Sequence, residues 1–301
     1  MEEILVNDEL IEQDREELLQ KPISPWKEMW MALKRNKAAM LGLTILIILL
    51  FLAIFGDYIM PYNPNVGELS ESLQAPSSSH WLGTDEQGRD VLSRIIDGTE
   101  ISLRVGITAV VVALSIGLTL GAFAGYYGGV IDMIIMRFMD IILAFPSLLL
   151  AIALMSTLGK GIDKAIIAIS VVTIPHYARI VRGSILSVKE SEYVQAARVI
   201  GNSDAAIIFK HILPNVLAPI IVRATLGISI AILDTAALGF LGLGVQPPYA
   251  EWGTMLGAGR AYFFNANHLV LFPGLAITIT VLAFNLLGDG LRDALDPKLQ
   301  K

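Results

Sequence analysis

Residues 191–215 read SEYVQAARVIGNSDAAIIFKHILPN, a charged, helix-prone segment set between two apolar stretches. A helix through Ala196 and Ala197 meets its stop at Gly201, the residue type that most readily adopts the left-handed conformation of a helix C-terminus. Asn202, Ser203 and Asp204 are N-cap candidates for a second short helix, which Pro214 is expected to end or redirect. The result is a helix-turn-helix knob. Its apolar residues Ala205, Ile207, Ile208 and Ile212 have no lipid to enter, which points to a protein partner or to the chain's own helices. The flanking stretches, residues 165–178 and 219–245, are weak as membrane spans. The first is short before Arg179 intervenes, and the second contains Arg223 and Asp234. Either one alone reads equally as a buried or re-entrant segment.

Four other stretches decide the class of the protein. Residues 38–56, 105–131, 141–159 and 269–288 are uncharged, and a hydrocarbon core is crossed by about 20 apolar residues as a helix. The chain is 54% hydrophobic and 17% charged over 301 residues, more apolar surface than one water-soluble core of that size needs. Lys27, Lys34, Arg35 and Lys37 crowd the approach to the first span, which places the N-terminus in the cytoplasm. With six spans the knob returns inside with Arg182, Lys189, Arg198 and Lys210, as do Arg292, Lys298 and Lys301 at the C-terminus. Five spans break that rule. The expectation is an all-α integral membrane protein with about six transmembrane helices. Its parts are an acidic then basic cytoplasmic segment (1–37), a first span (38–60), an extracytoplasmic loop (61–100), a core (101–290) with a cytoplasmic loop (183–214), and a cytoplasmic C-terminus (291–301).

The formal charge of −6 belongs to the tail, where Glu2, Glu3, Asp8, Glu9, Glu12, Asp14, Glu16 and Glu17 face Arg15 alone. No nucleic-acid surface and no acidic ligand preference follow from it. Such a tail is too acidic for a secretory signal and reads as a solvated, partly disordered segment. The absence of cysteine excludes disulfides, thiolate metal sites and a cysteine nucleophile. Pro146, Pro175, Pro219 and Pro273 fall within or near spans, where proline bends a helix. Gly117, Gly121, Gly125 and Gly129 form a ladder on one helix face and invite close helix packing.

The knob resembles the cytoplasmic loop of the permease subunits of ATP-binding-cassette importers, whose pattern is Glu-Ala-Ala, three residues, Gly, nine residues, Ile, any residue, Leu-Pro. Gln195, Ala196, Ala197, Gly201, His211, Leu213 and Pro214 fall on that spacing, with Gln195 in place of the acid and His211 in place of the apolar residue. Further stretches are similar to the second, C-type, permease of dipeptide/oligopeptide importers. These are HWLGTDEQGRD (80–90), FLGLGVQPP (240–248), Glu251-Trp252-Gly253 and NLLGDGLRDALDP (285–297). The resemblance covers the chain from about residue 25 onward. It implies a MetI-like core of five helices plus one N-terminal helix, in a prokaryotic plasma membrane. It also implies a second, B-type, permease, two cytoplasmic ATPase subunits that bind ATP and magnesium, and an external solute-binding protein. The knob, with Asp204 among its residues, would dock on an ATPase. Peptides are the implied cargo, with nickel chelates or oligosaccharides as alternatives in the same machinery.

Intramembrane charges are costly unless paired or wet, so they mark candidate pathway or gate residues. Arg137 and Asp140 lie three apart on one helix and are placed to satisfy each other; Asp234 has no charged neighbour within a turn of its own helix. In the outer loops, Asp85, Arg89 and Asp90 together with Glu251 and Trp252 combine mixed charge with an aromatic, which suits docking of the water-soluble binding protein. An intramembrane enzyme finds no His-Glu-x-x-His motif and no identifiable aspartate pair here. Leu158-Gly159-Lys160 lacks the remaining residues of a P-loop, so no catalytic residue, metal or cofactor is assigned to this chain. A passive channel is the remaining alternative.

Overall fold

The computed structural model describes residues 25–295, and the helices among them are α1 (Pro25–Arg35), α2 (Lys37–Ile59), α3 (Val91–Tyr127), α4 (Gly129–Leu143), α5 (Ser147–Leu158), α6 (Ile162–Val188), α7 (Glu192–Val199), α8 (Leu217–Phe240), α9 (Trp252–Gly259) and α10 (His268–Leu295). Among the described residues, the one extended pairing is an isolated bridge between Thr84 and Asp90. The acidic tail, Asp296 and Pro297 of the last motif, and Lys298 and Lys301 lie outside the described residues.

Each long helix can be traced to its local sequence. Asn36 separates α1 from α2 and caps the latter, its Oδ1 accepting from the Ala39 amide at 3.1 Å. Most of α2 presents apolar side chains outward (Leu41, Ile47, Ile48, Phe51, Ile54), as a helix surrounded by lipid requires. It touches α10 through Gly42, where a Cβ would stand 2.6 Å from the Ala283 carbonyl oxygen. Asp90 caps α3, so that helix starts well inside the loop expected to run to residue 100. At 37 residues it is about 55 Å long and exceeds the hydrocarbon thickness.

The centre of the bundle is the contact of α3 with α6. A Cβ at Gly117 would lie 2.6 Å from the Tyr177 Cβ, one at Gly121 would strike the Ala178 carbonyl, and one at Gly125 would lie 3.0 Å from the Arg182 carbonyl. The expected four-rung ladder therefore has three rungs. Gly129 faces open space at φ +54° and serves the turn between α3 and α4.

One expectation about the spans needs correction, and another holds. Residues 141–159 are not one helix: α4 and α5 are bent by 88° across residues 144–146, and neither half alone is long enough to cross. Pro146 cannot donate to the turn before it and drives Phe145 out of the helical region, which hydropathy does not register. Among the described residues, five helices are long and apolar enough to cross, or six if the bent pair is one span. Conversely, the two weak stretches form long continuous helices. α6 passes through Pro175 and Arg179 to Val188, and the helical run Asp204–Phe240 contains α8. Pro214 does not end the second knob helix. A π-helix (Ile207–Ile212) and a 3-10 turn (Leu213–Val216) carry the chain through, the Leu213 amide reaching back to the Ile208 carbonyl.

Candidate functional site

The knob is built from α7 and the start of the run into α8. α7 ends in a Schellman turn: Gly201 takes φ +83°, its amide donates to the Arg198 carbonyl (3.1 Å), and the Asn202 amide donates to the Ala197 carbonyl (3.2 Å). Ser203 then caps the next turn, its Oγ accepting from the Ala206 amide at 3.3 Å. Ile207, Ile208 and Ile212 are buried with Val194 and Ala197 of α7, Ala122 of α3, and Val181 and Ile185 of α6. The partner for the apolar side is thus the chain's own bundle, apart from Ala205, which stays exposed. Asp204 is tied to the same bundle: the Tyr126 hydroxyl at the end of α3 donates to its Oδ1 at 2.7 Å, and the Arg198 guanidinium lies 5.8 Å over the Tyr126 ring.

The motif residues divide by location. Ala197 and Leu213 are core, His211 is half-buried, and Gln195, Ala196, Gly201 and Pro214 are at the surface. Gln195 donates through Nε2 to the Glu190 carbonyl at 2.9 Å, an interaction a glutamate could not make. Beside Gly201, Val199 is 86% exposed and Ile200 77%, and further along the chain Phe209 is 52% exposed. The sequence reading passed over these three. The signal for Val199 and Ile200 was an apolar pair immediately before the helix-stop glycine.

Two ion pairs tie α6 to α4 near the knob. Arg182 donates to both oxygens of Asp132 (Nε at 2.5 Å, Nη2 at 2.6 Å), and Arg179 Nη2 donates to Asp140 at 2.6 Å. Asp140 is therefore paired across helices and not with Arg137, whose side chain is exposed. The three-residue spacing permitted the local pair, but the guanidinium of Arg179 reaches the carboxylate first. Asp234, on α8, makes no ion pair or hydrogen bond among the described residues.

At the far end of the bundle the polar loops form a cap. Asp85 Oδ1 accepts from the amides of Gln87 and Arg89, both at 2.9 Å; its Oδ2 accepts from Arg89 Nε at 2.7 Å and faces Arg94 Nε at 3.4 Å. Arg94 also donates to the Pro64 carbonyl, and Asp90 shares its carboxylate between His80 Nδ1 (2.9 Å) and the Ser93 amide and hydroxyl. Glu251 caps α9, accepting from the amides of Gly253 and Thr254 at 2.8 Å and the Thr254 hydroxyl at 2.9 Å. Burial pushes its carboxyl up, and those hydrogen bonds oppose the shift. Trp252 donates from Nε1 to the Ile95 carbonyl of α3 at 3.0 Å.

Asp85, Arg89, Asp90, Glu251 and Trp252 are all buried, so the expected docking side chains are the internal frame of the cap. Their charges meet partners within about ten residues of themselves, so the loop satisfies its own charges as it turns inward. The exposed apolar side chains of the outer loops are others, Trp81, Leu69 and Phe264 among them.

Comparison with known proteins gives consistent matches. Residues 117–301 match the family described as binding-protein-dependent transport system inner membrane component, and residues 24–76 match the N-terminal TM domain of oligopeptide transport permease C. A dipeptide transport system permease protein of Alkalihalophilus pseudofirmus is 51% identical over 278 residues, covering 92% of this chain and 91% of that one. A glutathione transport system permease protein of Pectobacterium atrosepticum is 47% identical, covering 92% of each chain. A di/tripeptide transport system permease protein of Pseudomonas aeruginosa is 47% identical, covering 92% and 93%. In fold, the chain is similar to an inward-facing structure of the MetNI methionine ABC transporter, with a TM-score of 0.56 at 19% identity over 68% of this chain and 98% of that one.

Proposed function

The chain belongs to the binding-protein-dependent transport system inner membrane components, transport subunits that are not themselves enzymes, and from that premise we propose that it is the C-type permease of an ATP-driven importer of di- and oligopeptides. It forms half of the translocation path together with a B-type permease. Two ATPase subunits, which hold ATP and magnesium, dock on the cytoplasmic knob, and a loaded solute-binding protein docks on the external cap. Both termini lie in the cytoplasm of a plasma membrane. Dipeptide, di/tripeptide and glutathione transport in the relatives' names supports peptides as cargo.

The observation that carries the coupling is the geometry of residues 192–240. An apolar tip around Gly201 is capped and buried at its base against α3 and α6, and a short turn over 201–203 joins it to the helical run Asp204–Phe240 that contains α8. A displacement of the tip is thereby delivered to a membrane-crossing helix. ATP and loaded binding protein drive transport by favouring one arrangement of the helices over the other, to the extent of their differential affinity for the two. The test is reconstitution with the partner subunits in vesicles. Uptake of a labelled dipeptide should require ATP and the binding protein together; uptake that persists without either identifies a passive channel and overturns the proposal.

A further inference from the structure

One face of α8 is partly uncovered among the described residues: Pro219, Ile230, Leu233 and Leu241 on it are exposed, Ala237 is half-buried, and Leu226 is half-buried beside Gly288 of α10. With 100° per residue, Pro219, Leu226, Ile230, Leu233, Ala237 and Leu241 share a stripe, and Ile230 and Leu233 are 45% and 48% exposed. The opposite side, with Ile220, Ile232, Thr235 and Leu238, is buried in the bundle. Two charges sit on the edge of the stripe. Arg223 and Asp234 are separated by 11 positions, which places them within about 20° of one another and about 16 Å apart along the axis. Neither makes an ion pair or hydrogen bond among the described residues, and at that separation they do not neutralise each other. Surrounding lipid would penalise both.

Each end of the stripe has its own sign. Toward the knob, Arg223 shares with Arg292 of α10 a cavity of about 340 Å³, walled by Ala218, Pro219, Val222 and Leu226. Arg223 also lies within electrostatic reach of His176, and Arg179 beside it is committed to Asp140. Toward the cap, Asp234 is the sole charged residue of α8 beyond Arg223.

We propose that this stripe faces the solute path, where Asp234 receives the ammonium and Arg223 with Arg292 the carboxylate of a zwitterionic solute. Naming that solute as a peptide with free ends rests on the peptide-import reading. The spacing sets the manner of contact. A dipeptide spans at most about 7 Å, so it engages one charge at a time and is passed along without being held by both ends.

The absence of native cysteine makes the test direct. Single cysteines are placed at Ala237, one turn from Asp234, at Leu226, one turn from Arg223, and at buried Leu238, in the importer assembled with its partner permease and ATPases in vesicles. The probes are a cationic and an anionic methanethiosulfonate of similar size. The cationic reagent should label Ala237→Cys roughly tenfold faster than the anionic one, the order should reverse at Leu226→Cys, and Leu238→Cys should resist both. Adding Asp234→Asn should abolish the first preference, and adding Arg223→Gln the second. No labelling at 226 and 237 in the assembled importer, meaning that lipid or protein covers the stripe, overturns the proposal, as does a reagent preference indifferent to both added substitutions. Dipeptide uptake by the same vesicles separates the two readings. Failed labelling with intact uptake removes only the path assignment, and charge-selective labelling without peptide uptake supports the path while overturning the peptide as its solute.

Discussion

The hydrogen bond from Tyr126 to Asp204 joins residues 78 positions apart and anchors the knob to α3. Tyr126→Phe removes that bond and the hydroxyl's contact with Arg198 while keeping the ring beneath the guanidinium. A hydrogen bond to a charged group is worth about 1.5–3 kcal/mol, discounted here for partial exposure. Limited proteolysis should then cut the Asn202–Asp204 turn faster in the variant while membrane insertion is unchanged; equal cutting rates would remove Tyr126 as an anchor. Glu251 offers a second test, because its carboxylate satisfies three donors at the start of α9 while buried. Glu251→Ala strands the buried Gly253 and Thr254 amides and should destabilise the cap by about 3 kcal/mol. That loss is measurable as a lower temperature for loss of detergent-soluble folded protein, and an unchanged temperature would contradict it. The turn at Gly201 and the cap at Ser203 were legible in the sequence, since each is a local rule of backbone geometry. The partners of Tyr126, Arg182 and Asp140 were not. Single-sequence spacing exposes only neighbours, as the displaced Arg137 pairing illustrates.

Helix packing explains which elements the sequence announced. The spans that hydropathy made obvious include the one that is broken, because residues 141–159 stay apolar across the 88° bend and only Pro146 marks it. The spans that looked weak are long helices; in α6 the arginines that interrupted the apolar run are accepted by Asp132 and Asp140 of α4, whereas Arg223 and Asp234 of α8 have no such partner among the described residues. Burial of the cap charges was hidden for a different reason: loop charges are normally solvated, and these are turned inward by pairing with one another and with nearby amides. The α3–α6 contact is the element on which both halves of the bundle depend. Gly121→Val adds three carbons where the Ala178 backbone already stands and should cost about 2 kcal/mol or more by overpacking. Comparing the thermal stability of the purified variant with that of Gly129→Val checks the reading, since the latter side chain enters open space and meets only its own strained φ. If the two substitutions were equally costly, the three-rung ladder would lose its packing role.

Over the whole molecule, a knob with an apolar tip lies at one end, a self-paired cap lies at the other, and α8 links the first to the second. On the proposed function, a push at the tip would pass through the 201–203 turn into the helical run Asp204–Phe240 and along it toward the cap. The central claim is that the surface around Gly201 receives the push. A Cβ at Gly201 meets nothing within 4 Å, so alanine there costs only the left-handed conformation, about 1–2 kcal/mol. Aspartate carries the same strain and adds a charge beside Val199 and Ile200. The most direct measurement is ATP-dependent dipeptide uptake per inserted importer for Gly201→Ala and Gly201→Asp side by side. The account predicts that the alanine variant transports near the native rate and that the aspartate variant inserts normally but does not transport. Native uptake by Gly201→Asp would contradict it.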